Sequence, residues 1–326
     1  MRTTRGEEGK PRLAVVIPTR ERYTRLAFCL DALAGQTAPS RWLEVIVVCD
    51  EDDPPPSLLP DPGIPIQVLT TPPRSTPAAK RNAGWEASRA PLVAFTDDDC
   101  RPSPGWTEAL LSAWEEGDGN TFLNGPVGPD PDERQLLTGL ARTLVVTEGQ
   151  RWYPTANLLF PRSLLEELGG FDPAFRRAGG EDTDLALRAI EGGARPRFVP
   201  EAMVWHAVHT RNVVEALQEA ARADGVALLF KRHPAQRRRI FARFFWKRSH
   251  ALALLAGIGI LAARRRPALG LLALLPYVRE NIDTSVRMTR KHAVANALHL
   301  PVRLLVDLAE SAATARGALK ARTPVL

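Results

Sequence analysis

The sequence predicts an α/β domain with a mostly parallel sheet flanked by helices, followed by a helical region of different character. Two observations carry this. Short apolar runs rich in β-branched residues alternate with segments of helical periodicity, the pattern of right-handed βαβ crossovers. The charge also splits along the chain: residues 1–202 carry 22 Lys and Arg against 30 Asp and Glu, net −8, and residues 203–326 carry 21 against 7, net +14. An acidic first part and a strongly basic second part imply two tasks, the second directed at an anionic surface. A chain of 326 residues has room for a domain of about 200–250 residues and an appendage. The expected division is a disordered 1–11, an α/β domain over 12–210 and a basic helical region over 211–326.

The first strand is expected at 13–17, a continuous apolar run ended by Pro18. Residues 26–33 carry Leu26, Leu30 and Leu33 at helical spacing and stop near Gly35. A second strand follows at 43–48. The acidic, proline-rich stretch 50–63 breaks regular structure. A third strand is expected at 66–69, a helix at 78–87 and a fourth strand at 92–96. Residues 105–116 form an amphipathic helix with Trp106, Leu110, Leu111 and Trp114 on one face. Beyond it, the pattern suggests a strand over 121–127, a helix over 134–146, a strand over 156–160 and a short helix from Pro161 to Leu168. A helix from Gly180 onward and a strand pair, 197–199 with 202–208, complete the domain.

Ligands of parallel sheets bind beyond the carboxyl ends of the strands. Pro18, Thr19 and Arg20 lie at one such end, Asp50 at another, and Asp97, Asp98 and Asp99 at a third, so these residues are expected to converge on one crevice. Three adjacent carboxylates repel one another and call for a cation. A hard divalent metal with oxygen ligands supplies one, and such a metal commonly takes further ligands from a diphosphate. Strand alternation would send Asp97 and Asp99 to one face and Asp98 to another. A solvated acidic turn ahead of Pro102 and Pro104 is the competing reading. The second informative stretch is Gly179-Gly180-Glu181-Asp182-Thr183-Asp184. Acidic residues in a first helical turn are also ordinary dipole complements. His206 is either a core histidine or a neutral imidazole ligand for a carboxylate-bound transition metal such as Mn2+.

Several classes are disfavoured. No Gly-x-Gly-x-x-Gly follows the first strand and no Walker-type loop occurs. Cys29, Cys49 and Cys100 have neither disulfide nor zinc spacing, which points to a reduced, cytosolic chain. Residues 1–10 lack the apolar run of a signal peptide.

Four segments, in order, resemble the family 2 glycosyltransferases with the GT-A fold. They are Ile17-Pro18-Thr19-Arg20 at a strand end, Ala79-Lys80-Arg81-Asn82-Ala83-Gly84 at a helix start, Asp97-Asp98-Asp99 as an Asp-x-Asp metal motif, and Glu181-Asp182 with Arg188 as an acceptor-site helix. The resemblance spans roughly residues 12–210 and implies an inverting, metal-dependent transfer from a nucleotide sugar to a hydroxyl. It implies Asp182 as the catalytic base and Glu181 and Asp184 on the acceptor. Pro18, Thr19, Arg20, Asp50, Arg81, Asp97 and Asp98 would contact the donor. Asp97, Asp99 and His206 would hold Mn2+ or Mg2+. The usual Asp-Asp-Gly-Ser after the second strand is replaced by Cys49-Asp50-Glu51-Asp52-Asp53, so Asp52 competes with Asp50 for the base contact. A sugar nucleotidyltransferase is the alternative enzyme, but Pro18-Thr19-Arg20-Glu21-Arg22 replaces its glycine-rich loop. A degenerate, non-catalytic scaffold is a further alternative.

The tail opens with a helix over 213–231, then interleaves Arg237, Arg238 and Arg239 with Phe241, Phe244, Phe245 and Trp246. Two apolar runs, 251–263 and 267–278, flank Arg264-Arg265-Arg266. Each is shorter than the roughly 20 residues of a spanning helix. An interfacial or dipping hairpin near 250–280 fits better, against a buried hairpin of an ordinary domain. This favours an anionic membrane surface over nucleic acid as partner, a glycan or lipid-linked acceptor, and a location on the cytoplasmic face of the cell membrane.

Overall fold

The computed structural model describes residues 10–55, 63–117, 119–137, 139–150, 152–177, 179–283 and 290–326. The expectation of disorder at 1–11 therefore falls mostly outside the described residues, as does the middle of the proline-rich stretch. The chain divides into two units, Met1–Asp132 with Thr143–Ala207, and Glu133–Arg142 with Val208–Leu326.

The first unit is a mostly parallel α/β sheet. In chain order it holds β1 (Leu13–Pro18), α1 (Tyr23–Ala34), β2 (Leu43–Asp50), β3 (Ile66–Thr71), α2 (Pro77–Ala87), β4 (Leu92–Phe95), β5 (Cys100–Pro102) and α3 (Trp106–Glu115). There follow β6 (Thr121–Asn124), β7 (Val127–Pro129), β8 (Leu158–Pro161), α4 (Arg162–Leu168), α5 (Glu181–Glu191), β9 (Arg195–Phe198) and β10 (Val204–His206). Seven strands run in the order β3-β2-β1-β4-β8-β6-β9, and β5-β10-β7 form a small second sheet. In the large sheet β1 pairs in parallel with both β2 and β4, while β8 runs antiparallel to β4 and β6.

Strand alternation sorts the core into two layers. Leu13, Val15 and Ile17 pack with Leu26, Leu30 and Leu33 of α1 and Trp106 and Leu110 of α3. Ala14 and Val16 face the other way, with Ala78 and Trp85 of α2 and Leu185 and Ala189 of α5. Both faces of the central strands are buried, which is why these strands read as unbroken apolar runs. Gly84 brings α2 close to β1: a Cβ there would lie 2.4 Å from Val16 Cγ1. The glycine of the Arg-Asn-x-Gly segment is thus a packing requirement of the helix that carries Arg81.

Three local expectations are corrected. Residues 134–146 are not an α-helix. A 3-10 turn covers Pro131–Leu136, Gly139 adopts φ +58°, and Val146 pairs with Val127 through backbone hydrogen bonds of 2.8 and 3.2 Å. The β-branched Thr143, Val145, Val146 and Thr147 favour that extended path. The strand expected at 121–127 is two strands, because the chain leaves the large sheet at Gly125-Pro126 and joins the small one. Finally, the segments near 197 and 204 do not pair with each other. β9 pairs with β6, and β10 with β5 and β7. Long-range partners set these pairings, with Pro200 in the bend between them.

The second unit is helical: α6 (Val213–Ala220), α7 (Val226–Arg232), α8 (Arg248–Ala263), α9 (Pro267–Asp283) and α10 (Arg290–Ala321). Asn212 caps α6 in a reciprocal box with Glu215, at 2.9 Å each way. α8 and α9 form a close hairpin through small residues. A Cβ on Gly259 would lie 2.5 Å from Ala273 Cβ, and one on Gly270 would lie 2.5 Å from Ala263 Cβ. Among the described residues, no helix is long and apolar enough to cross a membrane.

Candidate active site

Because β1, β2 and β4 are parallel neighbours, their carboxyl ends lie along one edge of the sheet. Thr19 follows β1, Asp50 ends β2, and Asp97–Asp99 follow β4. The three aspartates sit in a tight turn closed by Cys100 N–H donating to the Asp97 carbonyl at 3.1 Å. The period-two alternation of an extended strand therefore does not apply. Asp98 and Asp99 turn together toward Arg22, whose Nη2 lies 2.6 Å from Asp98 Oδ1 and whose Nη1 donates to Asp99. Asp97 turns elsewhere, accepting from Arg81 Nη2 at 2.8 Å.

Arg81 links the two informative stretches of sequence. Its Nη1 donates to Glu181 Oε1 at 3.0 Å, so one guanidinium, 5% exposed, joins the turn after β4 to the first turn of α5. Burial opposes its charge, but Asp97 and Glu181 outweigh that and hold its pKa above the ordinary value. The second oxygen of Glu181 accepts from Gly179 N–H at 2.7 Å. Gly179 and Gly180 adopt φ +127° and +110°, conformations that favour glycine and deliver the chain into α5. Asp182, next in that turn, is half-buried. Burial first and Glu181 second push its carboxyl up to about 7, against the opposing pull of Arg81.

The expected donor-binding residues are distributed unevenly. Asp50 is buried, with Lys80 Nζ 3.1 Å and Ser75 N–H 3.2 Å from its Oδ1. Its Oδ2 has no hydrogen-bond partner among the described residues, and Nε of the exposed Arg20 lies 3.7 Å away. Asp52 is exposed, whereas Asp53 accepts from Glu21 N–H at 2.7 Å. Pro18 and Thr19 are buried. The Thr19 hydroxyl donates to Asp98 Oδ2 at 2.7 Å, and its carbonyl accepts from Lys80 at 2.8 Å. That hydroxyl serves the acidic turn. Burial raises the Asp98 carboxyl to about 7, against the lowering effect of Arg22.

Asp184 departs from its expected role on an acceptor. It is fully buried and pairs with Arg188 Nε at 2.9 Å. Arg188 also donates to the carbonyls of Leu168 at 2.8 Å and Gly170 at 2.7 Å. Asp184 thus anchors α5 to the preceding turn.

His206 ends β10 beside the acidic turn, with Nε2 3.6 Å from Asp99 Oδ1. Its Nδ1 lies 2.8 Å from the Ala207 carbonyl, 3.3 Å from the Thr143 hydroxyl and 3.5 Å from Leu144 N–H, contacts that fix the ring with Nε2 toward the acidic turn. One donor atom each from Asp99, Cys100 and His206 falls within 4.8 Å of the others. Of these donors, the Asp99 oxygen and the His206 imidazole suit an Mn2+-class ion, whereas the buried Cys100 sulfur does not.

Sequence reasoning missed Arg22 and Lys80, the cations that offset Asp98, Asp99 and Asp50. It assigned the compensation of the acidic triplet to a metal alone. Both missed residues lie within quoted segments, yet their partners lie tens of residues away.

Comparison with known proteins bears on the family and the fold. A family model described as Glycosyl transferase family 2 matches residues 14–172. Pre-mycofactocin glycosyltransferase of Mycobacterium tuberculosis is 33% identical over 237 residues, 68% of this chain and 48% of that protein. Glycosyltransferase AglE of Haloferax volcanii is 25% identical over 248 residues, 72% of this chain and 80% of AglE. The chain thus spans about half the length of the mycobacterial relative. A mannosyltransferase from Pyrobaculum calidifontis, solved in complex with GDP-Man and Mn2+, shares the fold at a TM-score of 0.51 and 19% identity, over 96% of this chain and 87% of that one. With its mostly parallel sheet and these matches, residues 14–172 form a glycosyl transferase family 2 domain, with a GT-A-type fold.

Proposed function

We propose that the chain transfers a sugar from a nucleotide-sugar donor to an acceptor hydroxyl, with inversion at the anomeric carbon and with a divalent metal on the donor diphosphate. The observation that carries this reading is the Arg81 bridge, which holds a diphosphate-side carboxylate, Asp97, and the acceptor-side acidic turn on one cation. Asp182 is the proposed base: a half-buried carboxyl with a pKa near 7 is suited to exchange protons at neutral pH. It takes the hydroxyl proton as the acceptor oxygen bonds to the anomeric carbon. The bond from that carbon to the phosphate oxygen breaks on the opposite face, and a nucleoside diphosphate leaves.

Asp99 and His206, with Asp97, would hold Mn2+ or Mg2+, which when bound supplies charge neutralisation for the departing diphosphate. The open oxygen of Asp50 is the proposed acceptor for a ribose hydroxyl or base N–H, next to Pro18, Thr19 and Arg20. Arg81 and Asp98 complete the donor side, Arg81 at a phosphate and Asp98 by ordering Thr19 and Arg22. Glu181 orients the acceptor through the same turn as Asp182. The relatives support a nucleotide-sugar donor, since the Pyrobaculum calidifontis enzyme was solved with GDP-Man and Mn2+.

A thermal-shift screen of UDP-, GDP- and dTDP-sugars with and without Mn2+ tests the reading. Stabilisation by one nucleotide class, enhanced by Mn2+, is expected. Stabilisation by none would contradict it, and release of pyrophosphate would favour a nucleotidyltransferase.

The acceptor is proposed to be a glycan or lipid-linked hydroxyl at an anionic membrane surface on its cytoplasmic face. The α8–α9 hairpin supports this. Ile258, Leu261, Leu271 and Leu272 are each 65–70% exposed, and Arg264, Arg265 and Arg266 between the helices are exposed as well. Such a surface suits interfacial seating at about 1 kcal/mol per basic residue. Flotation with vesicles containing an anionic lipid should retain the protein, and exchange of the three arginines for glutamate should release it. Equal retention of both proteins would remove the hairpin from this role.

A further inference from the structure

We propose that the second unit contains a metal site of its own, formed by His250 of α8 and by Asp307 and Glu310 of α10, that takes a borderline divalent ion of the Zn2+ type. One donor atom from each of the three residues lies within 4.8 Å of the other two. Asp307 and Glu310 are three apart on one helix, so their side chains share a face. His250 sits in the first turn of α8 and is completely buried. Neither of its ring nitrogens has a hydrogen-bond partner among the described residues. Nε2 is 3.5 Å from Glu310 Oε2, too far for a good hydrogen bond. Buried polar atoms almost always find partners, so a fully buried imidazole with only a long ion pair to Glu310 among the described residues calls for an explanation.

The surroundings look like the outer shell of a metal site. The Tyr277 hydroxyl donates to Asp307 Oδ2 at 2.9 Å. Lys247 Nζ holds Glu310 Oε1 at 2.6 Å. Glu310 is therefore oriented through Oε1, with Oε2 left to the side of the imidazole, while Asp307 also accepts a long hydrogen bond from Ser249 Oγ at Oδ1, 3.4 Å, which an ion would displace. Second-shell donors of this kind fix ligand orientation. One nitrogen and two oxygens suit Zn2+ or a neighbouring transition ion better than Ca2+ or Mg2+, which prefer all-oxygen sets. Three protein ligands leave a position for water. The ion would tie α8 to α10 and, through Tyr277, to α9, at the base of the apolar hairpin. The site is independent of the proposed transfer chemistry.

The test uses the full chain carrying Asp97→Asn and Asp99→Asn, which removes carboxylates proposed for the donor-side metal. After chelator treatment, Zn2+ is titrated by calorimetry and Co2+ by visible absorption, with thermal melts in parallel. One equivalent should bind, raise the melting temperature and give Co2+ ligand-field bands. His250→Gln and, separately, Asp307→Asn should abolish these bands, with circular dichroism verifying that each variant is folded. Tyr277→Phe should weaken binding by about 10–100-fold, the usual cost of losing an outer-shell partner. Absence of a bound equivalent, or a Co2+ spectrum unchanged by His250→Gln, would overturn the proposal. So would binding seen only when Asp97 and Asp99 are intact. None of these outcomes depends on turnover.

Discussion

Replacing Arg81 with Met isolates the bridge between the two halves of the site. Methionine keeps much of the length and the contact with the ring of Phe171, which Arg81 now overlies at 5.8 Å. It removes both ion pairs, 3.0 Å to Glu181 and 2.8 Å to Asp97. Glu181 is 3% exposed, so its carboxylate would stay buried with no cation. Breaking a buried pair from one side costs about 3–5 kcal/mol. Asp97 is more open to solvent and adds less to that sum. For a unit of this size, about 1 kcal/mol corresponds to roughly 2–4 °C, so the melting point should fall by about 6–20 °C. Arg81→Lys retains the charge but lacks the fork that reaches both acids, and it should lose about half as much. Differential scanning calorimetry of the three proteins measures this. A fall below about 3 °C for the methionine variant, against the 6–20 °C expected from the buried-pair cost, would refute the bridge as a structural tie.

Two further predictions follow from the same geometry. Transfer should rise with pH up to about 7 and then level off, because Asp182 must be ionised to accept a proton and its carboxyl is pushed up to about 7. Arg81 lowers that value, so the limb should move to higher pH in Arg81→Met; a pH profile of single-turnover rates that is flat from 5 to 8 would contradict this. Asp184→Asn should lower stability by about 1–3 kcal/mol in urea melts, since it weakens the buried pair with Arg188, while leaving acceptor KM within about twofold. A large KM change with unchanged stability would return Asp184 to the acceptor.

What was legible in the sequence tracks how local the determining physics is. The runs at 13–17, 43–48 and 92–96 are buried on both faces, and that alone makes them unbroken and apolar. Pro18, Asp50 and Asp97 could be placed on one edge because parallel topology puts all carboxyl ends together. The turn after β4 was harder. Whether Asp97, Asp98 and Asp99 alternate depends on whether the backbone is extended, and the composition of the segment does not say. Glu181, Asp182 and Asp184 share one helical turn, and only the packed structure tells which acid meets Arg81, which stays half-buried and which is sealed against Arg188. The roles of Arg22 and Lys80 were not legible because their partners Asp98 and Asp50 are 76 and 30 residues away, respectively. The extended path near 146 likewise depends on Val127, beyond any local window.

The most direct measurement of the central claim is a single-turnover transfer assay on Asp182→Asn, paired with calorimetric donor binding in the presence of Mn2+. With only the base removed, transfer should fall by about 10²–10⁴-fold while donor affinity changes little. Wild-type transfer rates in that variant, or a loss of donor binding equal to the loss of rate, would contradict the assignment of Asp182 as the group that takes the acceptor proton.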